Sequence, residues 1–335
     1  MLQRYLLFWL ILSSAAAWMW PTLSAAILPD RGASDGGIAM LRLDPFLVRS
    51  PETGAAMPRV SIGLLVTVTM FSIGTLLSPD EVTYVLRRWP SVLGGTLVQY
   101  TAMPLLAVVL AIGFRLPRDL FIGVVLVGCV PGAMASNVLT LAARGNVSYS
   151  VSLTTLATLV SPIVVPLAMR LALHTQASID AVGVALQLLR EVVGPVIAGY
   201  VVSRSGTGIA RVCRRLAGPV ANLAILWIIA TVVALNRDRL PQTPWSVLAA
   251  LLALNLAGYL AGYGGAALLK LPEGMRRALT LEVGMQNAGV GTALALKWFA
   301  ETPTAAVPAA VYTFGCMLTG TLLAHWFASR PASTN

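Results

Sequence analysis

Long apolar runs separated by short polar connections dominate this chain. Since a helix needs about 20 apolar residues to cross the hydrocarbon core of a bilayer, each run predicts one membrane-spanning helix. Ten such spans are predicted, over residues 5–28, 60–77, 91–114, 120–141, 149–173, 179–202, 216–235, 247–269, 275–299 and 305–328. Prolines such as Pro90, Pro117 and Pro272 fall at joints between runs, where they begin or end helices.

Two segments near the N-terminus are less regular. The first span has features of a cleaved signal peptide, because Arg4 precedes its apolar run. Its length and the residues Trp9, Trp18 and Trp20 favour a retained span with interfacial anchors. The connection 29–59 is rich in Gly, Asp and Pro, and we expect it to be an irregular loop.

The composition is that of a membrane protein. The chain has 335 residues, of which 57% are hydrophobic and 11% charged, whereas a soluble domain has about 25% charged residues. The net charge of +10 comes from short basic clusters between spans, such as Arg87–Arg88. Such clusters suit anionic lipid headgroups better than nucleic acid. We therefore expect contact with membrane lipid, no nucleic acid and no required protein partner.

The basic residues also predict the orientation in the membrane. If the N-terminus lies inside, the inner connections contain more Lys and Arg than the short outer connections. Because cytoplasmic loops carry this excess, both termini are predicted to be cytoplasmic in a multi-pass protein of the cell inner membrane.

Enzymatic chemistry has little support in the sequence. Cys129, Cys213 and Cys316 lack metal-ligand spacing, and the two histidines, His174 and His325, lie far apart. The chain has no glycine-rich phosphate loop for ATP. It also lacks paired carboxylates or a nucleophile and base at matching depth, so we predict that it is not an enzyme.

The two halves of the chain repeat one feature. Residues 134–137 in the fourth span and 284–287 in the ninth are polar interruptions, and Asn137 and Asn287 occupy equivalent places. Each half has five predicted spans, and because five is odd the second half must enter the membrane from the opposite side. Inverted repeats with interrupted helices are typical of secondary transporters.

Glu282 is the only acid in the middle of its span. A carboxylate at that depth costs several kcal/mol unless it is paired, and no Lys or Arg lies nearby on the same helix. Gly284 and Gly289 flank Gln286 and Asn287, so this helix is expected to unwind and expose carbonyl oxygens that suit sodium. A protonated Glu282 that hydrogen-bonds to a neighbouring helix remains the alternative.

Polar residues of other spans are weaker candidates. Pro131 and Gly132 interrupt the fourth span, and Ser150 and Thr154 share one face of the fifth. Serine and threonine also bond to their own helix backbone, so these two stay undecided. Arg190 and Glu191 are adjacent charges in the sixth span, and we expect them either to form a local pair or to face a water-filled cavity.

Three motifs, residues 128–137, 143–147 and 282–287, resemble the bile acid:sodium symporter family, and the resemblance runs over about 61–326. It implies an all-α membrane protein with ten helices in an inverted five-plus-five repeat, in which the broken helices four and nine cross. A panel would comprise helices 1–2 (residues 1–90) and 6–7 (175–240). A core would comprise helices 3–5 (91–174) and 8–10 (241–329).

The resemblance also implies two sodium sites and a substrate wall. The first sodium site would comprise Ser136, Asn137, Ser150, Thr154 and Glu282. The second would comprise Gln99, Glu282, Gln286 and the backbone oxygens of Val283 and Met285. The substrate would face Ala133, Met134, Asn287, Cys316 and Met317. Bacterial relatives often have a small polar residue where Met134 stands, and some have a polar run at 315–317, so the wall is more apolar here.

These observations predict a sodium-coupled symporter that moves a small organic anion by alternating access. The expected ligand is a small monoanion with an apolar body, such as a branched 2-oxo acid, in preference to a bulky bile salt. A sodium/proton antiporter of similar architecture is the alternative, because such exchangers commonly use acidic residues in the core as proton carriers.

Overall fold

The chain is almost entirely helical in a computed structural model. The structure describes residues 6–27, 44–49, 56–77, 79, 83–84, 87–173, 180–206, 208–235, 240–299 and 301–330. The first half contains α1 (Leu6–Ile27), β1 (Leu47–Arg49), β2 (Ala56–Pro58), α2 (Ile62–Leu76), α3 (Trp89–Gly113), α4 (Arg118–Cys129), α5 (Ala135–Ala142) and α6 (Val147–Leu173).

The second half repeats this alternation of long and short helices. It contains α7 (Ala181–Leu188), a π-helical turn (Leu189–Val193), α8 (Gly194–Arg204), α9 (Gly208–Leu235), a 3-10 turn (Leu240–Gln242), α10 (Trp245–Leu268), α11 (Glu273–Gly284), α12 (Ala288–Trp298), a 3-10 turn (Pro303–Ala306) and α13 (Val307–Ala328). The π-helical turn joins α7 and α8 into one continuous span.

Six helical stretches in the described part of the chain are long and apolar enough to cross a bilayer. They are Trp89–Gly113, Val147–Leu173, Ala181–Arg204, Gly208–Leu235, Trp245–Leu268 and Thr304–Ala328. The predicted spans 120–141 and 275–299 instead form the short pairs α4–α5 and α11–α12. A helix of 12 residues such as α11 is about 18 Å long, so neither member of a pair crosses the hydrocarbon core alone.

The helices pack in two sets. In one set, α2 packs against α8 and α9, and α1 packs against α9. In the other, α3 contacts α4, α6 and α10, while α13 contacts α4, α5, α10 and α12. The pair α10–α11 belongs to this second set, and α6 contacts α7 of the first.

A buried arginine ties the second set together at one end. Arg277 on α11 is 2% exposed and donates to the carbonyl oxygens of Ala143 at 3.0 Å and Phe327 at 2.9 Å. It also pairs with Glu273 at 3.1 Å. A buried charge needs such partners, and here they come from the ends of α5 and α13. The bonds therefore fix the N-terminal half of α11, away from its break.

The connection predicted as an irregular loop contains a short antiparallel strand pair. Leu47 pairs with Pro58 and Val48 with Met57, so this expectation was wrong for the residues that the structure describes. Cross-strand pairing satisfies backbone groups that a loop would leave to water. Phe46, next to the pair, packs against Trp227 of α9 with ring centroids 5.1 Å apart.

Candidate functional site

The two helix breaks meet each other. Residues 130–134 separate α4 from α5, and residues 285–287 separate α11 from α12. The N–H of Ala133 donates to the carbonyl of Met285, and the N–H of Asn287 donates to the carbonyl of Pro131, both at 2.8 Å. Gly132 and Gln286 form an antiparallel bridge between these bonds. Backbone groups that the broken helices leave unpaired thus satisfy one another.

The carboxylate of Glu282 lies beside this crossing and is fully buried. The hydroxyl of Ser136, on α5, donates to Glu282 Oε2 at 2.5 Å. The hydroxyl of Thr154, on α6, lies 2.8 Å from each carboxylate oxygen. Within the described part of the chain, no basic side chain forms an ion pair with Glu282. Hydroxyl groups stabilise the carboxylate but leave its charge unmatched.

Two further residues extend this oxygen cluster. Asn137 Oδ1 accepts a hydrogen bond from Ser150 at 2.7 Å and lies 3.3 Å from the hydroxyl of Thr154. The structure therefore joins the five residues predicted for the first sodium site into one connected set. Its oxygen atoms are one carboxylate, one amide and three hydroxyls, and hard cations prefer such ligands.

Three of the residues predicted for the second sodium site, Gln99, Glu282 and Gln286, lie next to Gly132. A side-chain carbon at Gly132 would touch the carboxylate of Glu282 and would lie 3.3 Å from Gln99 Nε2. Gln99 is 1% exposed, and neither end of its amide has a hydrogen-bond partner among the residues that the structure describes. Gln286 donates to the carbonyl of Val283 at 2.9 Å, while its Oε1 is buried and unpartnered.

These unpartnered amides suit a bound cation. A buried polar atom without a hydrogen bond costs about 1–3 kcal/mol, so native structures rarely leave one without a reason. Here Gln99 and Gln286, each with an unpartnered side-chain oxygen among the described residues, lie beside Gly132, which also adjoins the buried carboxylate of Glu282. A cation coordinated by these oxygens would satisfy all three groups.

The residues predicted to face the substrate lie in different surroundings. Met134 lines a narrow cleft with Asn137 and Thr154, and Ile73 and Val196 form the opposite side. These two residues belong to α2 and α8, so the cleft lies between the two helix sets.

The other predicted substrate residues lie apart from that cleft. Ala133 is tied into the crossing through its N–H. Asn287 caps α12, since its Oδ1 accepts from the N–H of Val290 at 3.2 Å. Cys316 and Met317 are 2% and 7% exposed on α13. Their role in substrate binding stays a prediction.

Arg190 and Glu191 form the local pair that was one of the two expectations. Arg190 donates to Glu191 Oε1 at 3.0 Å, and Gln187 donates to Glu191 Oε2 at 3.0 Å. Gln187 in turn accepts from Trp298 Nε1 at 2.5 Å. The chain of bonds links the π-helical turn to the end of α12.

A second polar network was missed by sequence reasoning. The carbonyl of Gly284, at the end of α11, accepts from Asn255 Nδ2 at 2.7 Å and from the hydroxyl of Tyr312 at 2.8 Å. Thr319 donates to Asn255 Oδ1 at 2.6 Å. A usable signal was Asn255 itself, an isolated amide in an apolar span.

Apolar spans around a buried set of oxygen atoms define a multi-pass membrane protein whose polar centre suits transport. A sequence model of the Sodium Bile acid symporter family matches residues 63–243. The chain belongs to this family, which consists of transporters rather than enzymes.

Named relatives come from bacteria, plants and animals. The "Uncharacterized sodium-dependent transporter YocS" of Bacillus subtilis is 36% identical over 270 residues, which is 80% of this chain and 83% of that protein. The "Probable sodium/metabolite cotransporter BASS1, chloroplastic" of Arabidopsis thaliana is 31% identical over 79% of this chain and 66% of its own. The human "Sodium/bile acid cotransporter 4" is 29% identical over 70% of this chain and 55% of its own.

Proposed function

We propose that the chain is a sodium-coupled symporter that carries a small organic anion into the cell by alternating access. One observation carries the proposal: the buried carboxylate of Glu282 has no ion-pair partner among the described residues and lies among neutral oxygens at the crossing of two broken helices. Its natural partner is a cation from outside the chain. The names of relatives, which specify sodium-dependent transport or sodium/metabolite cotransport, support sodium as that cation.

The proposed architecture has ten spans in an inverted five-plus-five repeat. The breaks in α4–α5 and α11–α12 occupy corresponding places in the two halves, and their antiparallel bridge agrees with opposite directions of entry. The panel would comprise residues 1–90 and 175–240, and the core residues 91–174 and 241–329. Both termini would lie in the cytoplasm, and the membrane would be the cell inner membrane.

Two sodium ions would bind per cycle. The first would use Ser136, Asn137, Ser150, Thr154 and Glu282, and the second Gln99, Glu282, Gln286 and the carbonyls of Val283 and Met285. Both would offset the charge of Glu282, whose hydrogen bonds already join α5, α6 and α11. Binding would thus stabilise one arrangement of the crossing.

The organic anion would bind next to the same crossing. The first turns of α5 and α12 follow directly after the breaks, and a helix N-terminus carries about half a positive charge, which attracts a carboxylate or sulfonate. The cleft beside Met134 lies between the proposed panel and core, where relative motion would expose it alternately to each side.

Substrate selectivity would follow from the predicted substrate residues, of which Met134 lines this cleft. Met134, Met317 and Cys316 offer no strong hydrogen bonds to a hydroxyl-rich ligand, whereas Ala133 and Asn287 lie at the polar crossing. The substrate would therefore be a monoanion with an apolar body, such as a branched 2-oxo acid.

Transport by purified protein in proteoliposomes tests this function. An inward sodium gradient is expected to drive uptake of a branched 2-oxo acid, whereas potassium in place of sodium does not. Two sodium ions with one monoanion move one net charge, and each charge gains about 2.3 kcal/mol per 100 mV, so an inside-negative potential should accelerate uptake. Sodium flux that is coupled to protons and independent of the organic anion would instead establish the antiporter.

The two proposed sodium sites should respond to separate substitutions. Thr154→Ala removes an oxygen from the first site and Gln99→Ala one from the second, so each should weaken sodium binding by about 5- to 30-fold, as losing one or two kcal/mol does. Each should also lower the Hill slope of sodium-dependent uptake towards one. Thr75→Ala is the control, because the buried hydroxyl of Thr75 donates to the carbonyl of Ser72 in its own helix and belongs to neither proposed site. Unchanged sodium affinity and slope in both site variants would reject the assignment.

A further inference from the structure

The break after α11 deprives several backbone carbonyls of their helical hydrogen-bond partners. Other groups of the protein replace those partners to different extents. A helix end leaves its last carbonyl oxygens without intrahelical partners. Here the carbonyl of Val283 accepts from the side chain of Gln286 at 2.9 Å, and that of Met285 accepts from the N–H of Ala133 at 2.8 Å. In the described part of the chain each of these oxygens accepts one hydrogen bond and keeps one lone pair, since a carbonyl has two.

The carbonyl of Gly284, between them, is fully used. It accepts from Asn255 Nδ2 at 2.7 Å and from the hydroxyl of Tyr312 at 2.8 Å. Asn255 belongs to α10 and Tyr312 to α13, and each is 1% exposed. The Gly284 oxygen therefore points towards α10 and α13, whereas the Met285 oxygen points towards the other break.

Small residues allow α10 to come this close to the break. Asn255, Gly258, Tyr259 and Gly262 are spaced to share one helix face. A side-chain carbon at Gly258 would lie 3.1 Å from the Cα of Gly284 and 3.3 Å from the Val283 oxygen. Gly284 has no room for a side chain either, because the ring of Tyr259 occupies that position.

The amide of Asn255 is itself held in orientation. Thr319 Oγ1 donates to Asn255 Oδ1 at 2.6 Å, so the amide N–H groups face Gly284. The hydroxyl of Tyr259 lies 3.1 Å from Thr319 Oγ1, which extends the buried network by one residue. Such a fully satisfied network fixes its members more firmly than single bonds would.

We propose that Asn255 and Tyr312 are positioning residues of the proposed second sodium site. By occupying both lone pairs of the Gly284 carbonyl, they keep that oxygen from ligating a cation. They also fix the peptide plane between Gly284 and Met285, and with it the directions of the Val283 and Met285 carbonyls. The inference rests on the proposed sodium-coupled function, and neither residue would touch the ion.

Sodium-induced thermal stabilisation of the purified protein tests this role without transport. Tyr312→Phe removes only the hydroxyl, and Thr319→Val removes the group that orients the Asn255 amide. We expect Tyr312→Phe to raise the sodium concentration for half-maximal stabilisation by about 3- to 10-fold, the effect of one hydrogen bond. Asn255→Leu should raise this sodium concentration further. Thr319→Val should give a concentration between those of the parent and of Asn255→Leu.

A matched control separates positioning from general stability. Tyr149 is fully buried, and its hydroxyl donates to the carbonyl of Ser91 at 2.9 Å rather than to a carbonyl of the break. Tyr149→Phe should lower the sodium-free melting temperature about as much as Tyr312→Phe but leave the sodium dependence unchanged. If Tyr312→Phe and Thr319→Val match the parent in sodium dependence while Glu282→Gln does not, the positioning role is wrong and the sodium site stands. If Glu282→Gln also matches the parent, the proposed function itself fails.

Discussion

Glu282→Gln is expected to abolish both sodium-dependent stabilisation and sodium-driven uptake while the protein still folds. Glutamine keeps the shape of the side chain and can still bond to Ser136 and Thr154, which contact the carboxylate at 2.5 and 2.8 Å. It cannot carry the charge that both proposed sodium sites share. Removing one partner of a buried ion pair costs about 3–5 kcal/mol, so sodium affinity should fall by at least about 100-fold. Melting curves over a sodium titration would measure this.

A second glutamate on the same helix provides the control. Glu273 begins α11 and pairs with Arg277 at 3.1 Å, far along the helix from the crossing. Glu273→Gln removes a carboxylate and a salt bridge, yet it should leave sodium affinity unchanged. Equal sodium dependence in Glu282→Gln and the parent would show that the buried carboxylate binds no sodium.

The apolar pattern predicts most helix positions because membrane spans are defined by long uninterrupted apolar runs. The span predicted over 91–114 is the helix Trp89–Gly113, for example. The pattern fails where a helix continues beyond the apolar part. The helix Gly208–Leu235 begins eight residues before the predicted 216, because the exposed Arg211, Arg214 and Arg215 continue the helix without adding to the apolar pattern.

The candidate site is predictable where its chemistry is local. Glu282, Gln286 and the flanking glycines stand out as polar residues and helix breakers inside an apolar run. Gln99 was supported only by family resemblance, because it lies near Glu282 in space, across Gly132, but far from Glu282 in the sequence. Sequence pattern does not contain such contacts.

Long-range positioning contacts were not predictable for the same reason. Asn255 and Tyr312 lie 29 and 28 residues from Gly284 in the chain. An isolated asparagine in a span indicates a buried partner without identifying it, and a tyrosine in a span is too common to indicate anything. Which carbonyl they hold depends on helix packing that only the folded structure shows.

Gly132→Ala is expected to have the other large effect. Gly132 lies where the two breaks cross, and an added methyl group would overlap the Glu282 carboxylate, with its carbon 2.7 Å from Glu282 Cδ. The backbone cannot easily retreat, since the bonds Ala133–Met285 and Asn287–Pro131 hold it at 2.8 Å on both sides. The carboxylate must therefore move away from the oxygens that surround it.

Such overpacking costs about 1–3 kcal/mol. If this cost falls on the sodium-bound arrangement of the carboxylate, sodium affinity decreases by about 5- to 150-fold. Sodium-dependent uptake by Gly132→Ala should fall accordingly, and extra sodium should restore part of it. Gly264→Ala is the matched control, because a methyl group at this helical position meets nothing within 4 Å and alanine favours the helix. If Gly132→Ala transports like Gly264→Ala at low sodium, the carboxylate does not need its position beside Gly132, and sodium binding at the crossing is rejected.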